Sequence, residues 1–336
     1  MEIEGTVVAG PSFEPIEGRV VWEDKEITAV EECSTTSSRI VLPAFVNAHT
    51  HVGDSLAKEA GAGLSLDELV APPDGLKHRL LRAASHEELV EGMRTTAEYM
   101  QRAGVGAFLD FREGDVAGVR AFEEATAGLE IDALALGRES VDAMHESSGY
   151  GASGANDADF ERERNATREA GKLFGIHAGE RDASDIDAAL ALDPDFLVHM
   201  VYAEEDHIDR VAGETPIVVC PRSNLVTGVG LPPVEALAEH TTVALGTDNV
   251  MSNSPSMFRE MEFAAKLFDL PAREVLEMAT LAGAEIAGLD RGVIEEGAPA
   301  KLCVLDGDSA NLAGAQDVLR AVVRRVGLSD VLRVVH

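Results

Sequence analysis

Residues 41 to 54 read VLPAFVNAHTHVGD, an apolar run holding one proline and closing on two histidines, His49 and His51, one residue apart. A short apolar run bounded by turn residues predicts a buried strand. Val41 to Val46 is expected to be the first strand of a barrel, with Pro43 near its start, where a missing N–H is tolerated. Two imidazoles at the end of such a strand are either a metal-ligand pair or polar loop residues. Their spacing alone does not decide, so the test is whether other strands end in the same way.

Working outward, residues 1–40 hold short runs rich in valine and isoleucine, with glycine or proline at the breaks, a pattern of small β-strands. From residue 41 to 289 apolar runs alternate with longer charged, alanine-rich stretches of helical period. Strands are expected near RIVLPAFVNA, GVGAFLDF, IDALALG, KLFGIHA, DFLVHMV, TPIVVCP and TTVALGTD, with one more inside ESSGYGASGAND. The helix SHEELVEGMRTTAEYMQRAG opens with Ser85 as an N-cap three residues before Glu88. The fold class expected is α/β: a (β/α)8 barrel over 41–289 of about the usual 250 residues. The closing stretches GVIEEGAPAKLCVLDGDS and DVLRAVVRRVGLSDVLRVVH read as short strands again, so residues 1–40 and 290–336 are expected to build one small β-sandwich from both chain ends.

Barrel enzymes carry their chemistry at the C-terminal ends of the strands. Here His49 and His51 close the first strand, His177 closes LFGIH, His199 closes FLVH and Asp248 closes VALGTD. A single histidine in such a place is more often a packed, hydrogen-bonded residue than a ligand. Several of them converging on one barrel end make a proper first shell for a divalent metal. Glu180, in HAGE, stands three residues after His177. It is either an acid beside the reacting atoms or a helix-start carboxylate stabilised by the helix dipole.

Composition narrows the partners. Lysine plus arginine total 28 against 60 acidic residues, a formal net charge of −32, which argues against nucleic acid and anionic membrane surfaces. Only six lysines occur, and so acidic a chain resembles proteins of high-salt cytoplasms, where its self-repulsion is screened; an ordinary acidic enzyme is the alternative. Cys33, Cys220 and Cys303 are odd in number and far apart, against a disulfide framework. No signal-peptide or membrane-span pattern is seen, and the expected compartment is the cytoplasm.

Taken together, VLPAFVNAHTH, HAGE, FLVH, VCPRSNLVTG and LGTDN, with the tail ATLAGAEIAGLDRGVIEEGAPAKLCVLDG, resemble the successive motifs of the amidohydrolase superfamily, in its cytosine deaminase and chlorohydrolase branch. The resemblance runs in order over nearly the whole chain. It implies one divalent metal ion held by His49, His51, His177 and Asp248, with zinc the default and iron an alternative. It further implies that Glu180 shuttles protons, that His199 stands beside the activated water, and that Asn224 supports the loop near the substrate. Binuclear relatives carry a bridging lysine on the fourth strand, and ESSGYGASGAND has none.

The chemistry implied is hydrolysis of a C–N bond, with release of ammonia from a small-molecule heterocycle such as a pyrimidine, purine or triazine. Hydrolysis of a cyclic amide, removal of another leaving group and a non-catalytic scaffold are the other readings. Asp54, Arg112 and Glu113 are candidate substrate contacts, Arg112 and Glu113 being alternatively a rim ion pair, and His145 is a further candidate. Aromatic residues make up only 4% of the chain, which weakens the case for a large stacked pocket. The oligomeric state is open, a homo-oligomer included.

Overall fold

The computed structural model describes residues 1–336. Alternation at Ile3, Gly5 and Val7 gives β1 (Glu2–Ala9) one buried face. It pairs antiparallel with β2 (Glu14–Glu23), which pairs with β3 (Glu26–Glu32). Next comes β4 (Arg39–Pro43), parallel to β1. One residue later the chain re-enters a strand as β5 (Phe45–His51).

The run expected as a single strand, RIVLPAFVNA, is therefore two. Pro43 brings no N–H; the Ala44 N–H goes to Lys301 O and the Phe45 N–H to Gly104 O, so the chain changes sheets at this point. Val41 and Leu42 belong to the small sheet, and the barrel begins at Phe45.

Seven further strands follow along the chain, β6 (Val105–Arg112), β7 (Asp132–Gly137), β8 (Gly149–Gly154), β9 (Leu173–Ala178), β10 (Phe196–His199), β11 (Ile217–Val219) and β12 (Val243–Leu245), and then the short β13 (Asp248–Asn249). All pair in parallel, in the order β12-β11-β10-β9-β8-β7-β6-β5-β13. Only Gly246 and Thr247 separate the two edge strands. The Gly246 N–H reaches Val219 O in β11 and the Thr247 N–H reaches His49 O in β5, so one segment bonds to strands from both ends of the sheet order. The sheet thus curls until its edges meet, consistent with a barrel. Its interior is filled by Ala48, Leu109, Phe111, Phe196 and Val198, among others. Gly151 makes room for one of them, because a Cβ there would lie 2.5 Å from the Phe111 ring. The helix His86–Arg102 starts at Ser85 with the expected reciprocal cap to Glu88.

Both chain ends meet in one six-stranded sheet, β15-β14-β4-β1-β2-β3, completed by β14 (Leu302–Asp306) and β15 (Val331–Val335). In a flat sheet β15 and β2, four places apart, would be roughly 19 Å distant. Yet the Arg333 guanidinium lies 6.0 Å from the Trp22 ring, so the sheet is strongly curved.

The expected strand in DVLRAVVRRV is instead a helix, Val318–Arg325. Asp317 caps it by accepting the Arg320 N–H, and Val318, Ala321 and Val322 recur at helical spacing on the face that packs on helices Met257–Leu267 and Ala272–Met278. A run of β-branched residues looked extended, but the packing surface favoured the helical period. Residues 290–301 form turns with a single bridge, Glu26 to Pro299, rather than a strand.

Candidate functional site

Alternation along β5 sends His49 and His51 to the same side, and both are buried. Parallel pairing places Asp248 opposite Thr50 and His177 opposite Val198, one residue before His199. Histidines and a carboxylate from four strands are thus gathered at the C-terminal barrel end.

Their reactive atoms converge. His49 Nε2 lies 3.3 Å from His177 Nε2 and 3.3 Å from Asp248 Oδ1, and His51 Nε2 lies 3.6 Å from the same oxygen. His49, His177 and His199, and likewise Glu180, His199 and Asp248, each present ligand atoms within 4.8 Å of one another.

The tautomers are set from behind. The His177 Nδ1–H donates to Ala152 O at 2.8 Å. The His51 Nδ1–H is shared between Phe111 O at 3.1 Å and Glu113 Oε1 at 2.9 Å. Both rings therefore turn the lone pair of Nε2 inward. Burial keeps them neutral: it pushes His51 down to about 3, lowers His49, and holds His177 well below the ordinary imidazole value. Burial would raise Asp248, but the His49 hydrogen bond and neighbouring histidines outweigh it and hold the carboxylate well below its usual value. Ser223 Oγ, at 2.5 Å, and Asn249 Nδ2, at 3.0 Å, donate to Asp248. Converging neutral imidazole lone pairs and an ionised carboxylate repel one another unless a cation lies between them, so the set fits a divalent metal with N and O preference.

Two members are held in uncommon backbone conformations, with φ of 81° at His199 and 56° at Asp248. Left-handed residues other than glycine cost on the order of 1–3 kcal/mol and concentrate at functional sites. Gly179, at φ 62°, makes the turn after His177 and gives its N–H to Asp185, leaving Glu180 beside the cluster. Burial raises the Glu180 carboxyl, whose Oε2 is 3.6 Å from His199 Nε2.

The remaining sequence candidates scatter. Asn224 belongs here, its amide 3.1 Å from His199 Nδ1. Glu113 backs His51 and also meets Lys77 at 2.7 Å, Arg112 at 2.8 Å and Arg138 at 3.0 Å. Burial would raise it; Lys77 and the His51 ring prevail and hold it well below the carboxylate range. Arg112 is buried, bonded to Asp110 and Glu113, and seated against Gly53, where a Cβ would lie 2.0 Å from Nη2. Arg112 and Glu113 thus form a buried ion pair behind His51. Asp54 is buried, accepting the Met251 N–H, with Lys77 Nζ 4.0 Å from its Oδ2. His145 is the clear correction: it is exposed at the end of helix Val141–His145, before β8 begins, and therefore at the opposite end of the barrel.

Sequence reasoning missed Lys77, Arg138 and Ser223. Lys77 donates to Asn249 at 3.1 Å and, with His51, Glu180 and Asp248, borders a cleft of about 130 Å³. The one signal was rarity, a lysine in a chain with only six.

With this geometry in hand, likeness to known proteins becomes informative. A family model described as the amidohydrolase family matches residues 40–181 and 163–326. A protein of Methanothermobacter thermautotrophicus is 35% identical over 90% of both chains. The 5-methylthioadenosine/S-adenosylhomocysteine deaminase of Halobacterium salinarum is 32% identical over 94% of this chain and 86% of its own. Among solved structures, the zinc complex of atrazine chlorohydrolase from Arthrobacter aurescens superimposes with a TM-score of 0.84 at 21% identity, covering 99% of this chain and 93% of its own. On strand order, residues matched and identity alike, the chain belongs to the amidohydrolase family.

Proposed function

We propose that this protein is a metal-dependent hydrolase that deaminates a nitrogen heterocycle. The observation that carries the reading is the convergence of His49, His51, His177 and Asp248 with Glu180 beside them. The deaminase activity named for the Halobacterium relative and the zinc of the Arthrobacter neighbour support it.

His49, His51, His177 and Asp248 would hold one zinc ion. A divalent ion held there would supply a water whose pKa is lowered from 15.7 toward about 7, a nucleophile at neutral pH. Asp248 would take the proton of that water. Glu180, kept protonated more readily by burial, gives its proton to the ring nitrogen next to the attacked carbon. His199, held by Asn224, faces the oxygen that develops there. A C–O bond forms and the exocyclic C–N bond breaks: Asp248 passes its proton to the leaving amine, which departs as ammonia, and the hydroxyl proton returns to Glu180 as the carbonyl forms.

Glu180 supplies the acid that protonating a ring nitrogen needs, and the deaminase activity named for the Halobacterium relative favours ammonia as the leaving group. The decisive experiment is Glu180→Gln, with ammonia release and bound metal measured on the same sample. The expected result is retained zinc and turnover reduced about 10²- to 10⁴-fold. Full activity in this variant ends the assignment.

The same proposal takes residues 1–40 and 290–336 as a small sandwich-like unit beside the barrel, supported by the Arg333–Trp22 contact. It also takes the enzyme as cytoplasmic and adapted to high salt, which the net charge of −32 supports. No helix is long and apolar enough to cross a membrane. Dilution from molar to millimolar potassium chloride is expected to lower the unfolding midpoint, since longer screening lengths leave the acidic surface repelling itself. An unchanged midpoint removes the salt adaptation.

A further inference from the structure

Helix Leu76–Ala83 lies in the segment that follows β5, and the one side chain it buries fully is Lys77. Its leucines, Leu76, Leu80 and Leu81, are only half-buried. A lysine is almost never fully buried unless its ammonium is paired. Lys77 has two partners, and each leads to a different member of the histidine and aspartate cluster.

The first path runs through Glu113. Lys77 Nζ lies 2.7 Å from Glu113 Oε1, and the same oxygen is 2.9 Å from His51 Nδ1. A carboxylate held there accepts the Nδ1–H, which leaves the lone pair of Nε2 facing inward.

The second path runs through Asn249. Lys77 Nζ donates to Asn249 Oδ1 at 3.1 Å, and Asn249 Nδ2 donates to Asp248 Oδ1 at 3.0 Å. An ammonium can only donate, so the amide must turn its oxygen toward Lys77. Its NH2 is thereby aimed at Asp248, whose carboxylate accepts. Without Lys77, Asp248 alone would orient the amide, and the flipped form would set one oxygen against another.

Neutralising Glu113 does not by itself account for the lysine. Arg112 at 2.8 Å and Arg138 at 3.0 Å already pair with that carboxylate. What Lys77 adds is a link between neighbouring strands, since Asn249 of β13 stands opposite His51 of β5.

We infer that Lys77 is a positioning residue of the metal site, which from one ammonium sets His51 through Glu113 and Asp248 through Asn249. No hydrogen bond joins it to either ligand, so it governs the geometry in which they hold a cation rather than the chemistry itself. This rests on the proposed function only in taking His51 and Asp248 as ligands.

The test is competition for zinc between the loaded, full-length protein and a chelator of known affinity. The visible absorption of the cobalt(II)-exchanged protein gives a second readout, of ligand geometry. Lys77→Met, close in length and uncharged, should weaken zinc about 10- to 100-fold and shift the cobalt bands at full occupancy. Asn249→Ala cuts the second path while leaving every buried ion pair in place, and it should do the same to a smaller extent. Because both changes act on one chain of bonds, the double variant should match Lys77→Met within about twofold.

A lysine that merely anchors its helix would lower the unfolding midpoint and leave zinc affinity and cobalt bands unmoved. One that merely touches substrate would move none of the three. Either result overturns the inference, and so do losses that add in the double variant. Should Lys77→Met fail to fold, Asn249→Ala decides: unchanged affinity and bands overturn the inference, and a loss in both sustains it. A wild-type protein that holds neither metal ends the ligand assignment and this inference with it, whereas a wild-type protein that holds zinc no better than the variants ends this inference alone.

Discussion

Two buried polar clusters sit side by side at the C-terminal end of this barrel, and they differ in completeness. In the first, Asp110, Arg112, Glu113 and Lys77 alternate in sign, and each charge has an opposite partner within 3.2 Å. In the second, His51 and His177 turn neutral lone pairs toward a common centre that His49 Nε2 and the Asp248 carboxylate also face. Buried polar groups are ordinarily satisfied. The first cluster is closed by its own ion pairs; the second leaves converging ligand atoms that a divalent cation would suit. Glu113 joins them, bonded to His51 on one side and to the two cations on the other.

Substitutions can break or sharpen that contrast. The largest effect should come from His177→Ala, which removes one converging lone pair. Bound zinc and turnover should both fall to background, and added zinc should no longer raise the unfolding midpoint, whereas the intact protein gains about 2.7 kcal/mol at a hundredfold excess over the dissociation constant. Zinc retained at full stoichiometry would mean that the second cluster is not a ligand set.

Glu113→Gln comes next, because it leaves Lys77 and Arg112 buried with one carboxylate fewer. Removing one partner of a buried ion group costs about 3–5 kcal/mol, and loss of the carboxylate behind a ligating histidine costs about 10- to 100-fold in metal affinity. Denaturant unfolding and zinc titration read the two separately. A loss of stability with unchanged zinc affinity would confine Glu113 to the first cluster.

The smallest effect belongs to Asp54→Asn. Burial pushes the Asp54 carboxyl up to about 8, and its Oδ2 lacks a hydrogen-bond partner, with Lys77 Nζ 4.0 Å away. A carboxyl raised in the folded state favours folding most below its unfolded value of 3.8 and loses that contribution as pH rises toward 8. The asparagine variant should therefore show a flatter stability profile between those limits and gain on the order of 1 kcal/mol at pH 8. A profile parallel to that of the parent protein would show that Lys77 already compensates the charge.

Much of this was legible from the chain because strands carry a period and ligands sit at their ends. His49, His51, His177, His199 and Asp248 stand at the last turn of apolar runs, and a parallel barrel must gather such positions at one rim. Local pattern, however, says nothing about what lies behind a ligand. Glu113 read as a substrate contact or the partner of Arg112; it pairs with Arg112 but lies buried behind His51, while Lys77 and Arg138, from a loop helix and a strand end, meet it only in space. His145 had the right residue type in the right unit, but it precedes its strand rather than following it.

What the sequence by itself determined is the set of βα units, the caps, the acidic charge and the histidines and aspartate at the strand ends, all consequences of short-range periodicity and residue chemistry. Tertiary structure alone decided that the chain changes sheets at Ala44, that Val318–Arg325 coils into a helix, and that a carboxylate shared by Lys77, Arg112, Arg138 and His51 braces the site. Those outcomes depend on which surfaces and charges meet across distances that no local window spans, and burial then fixes how strongly each charge is held.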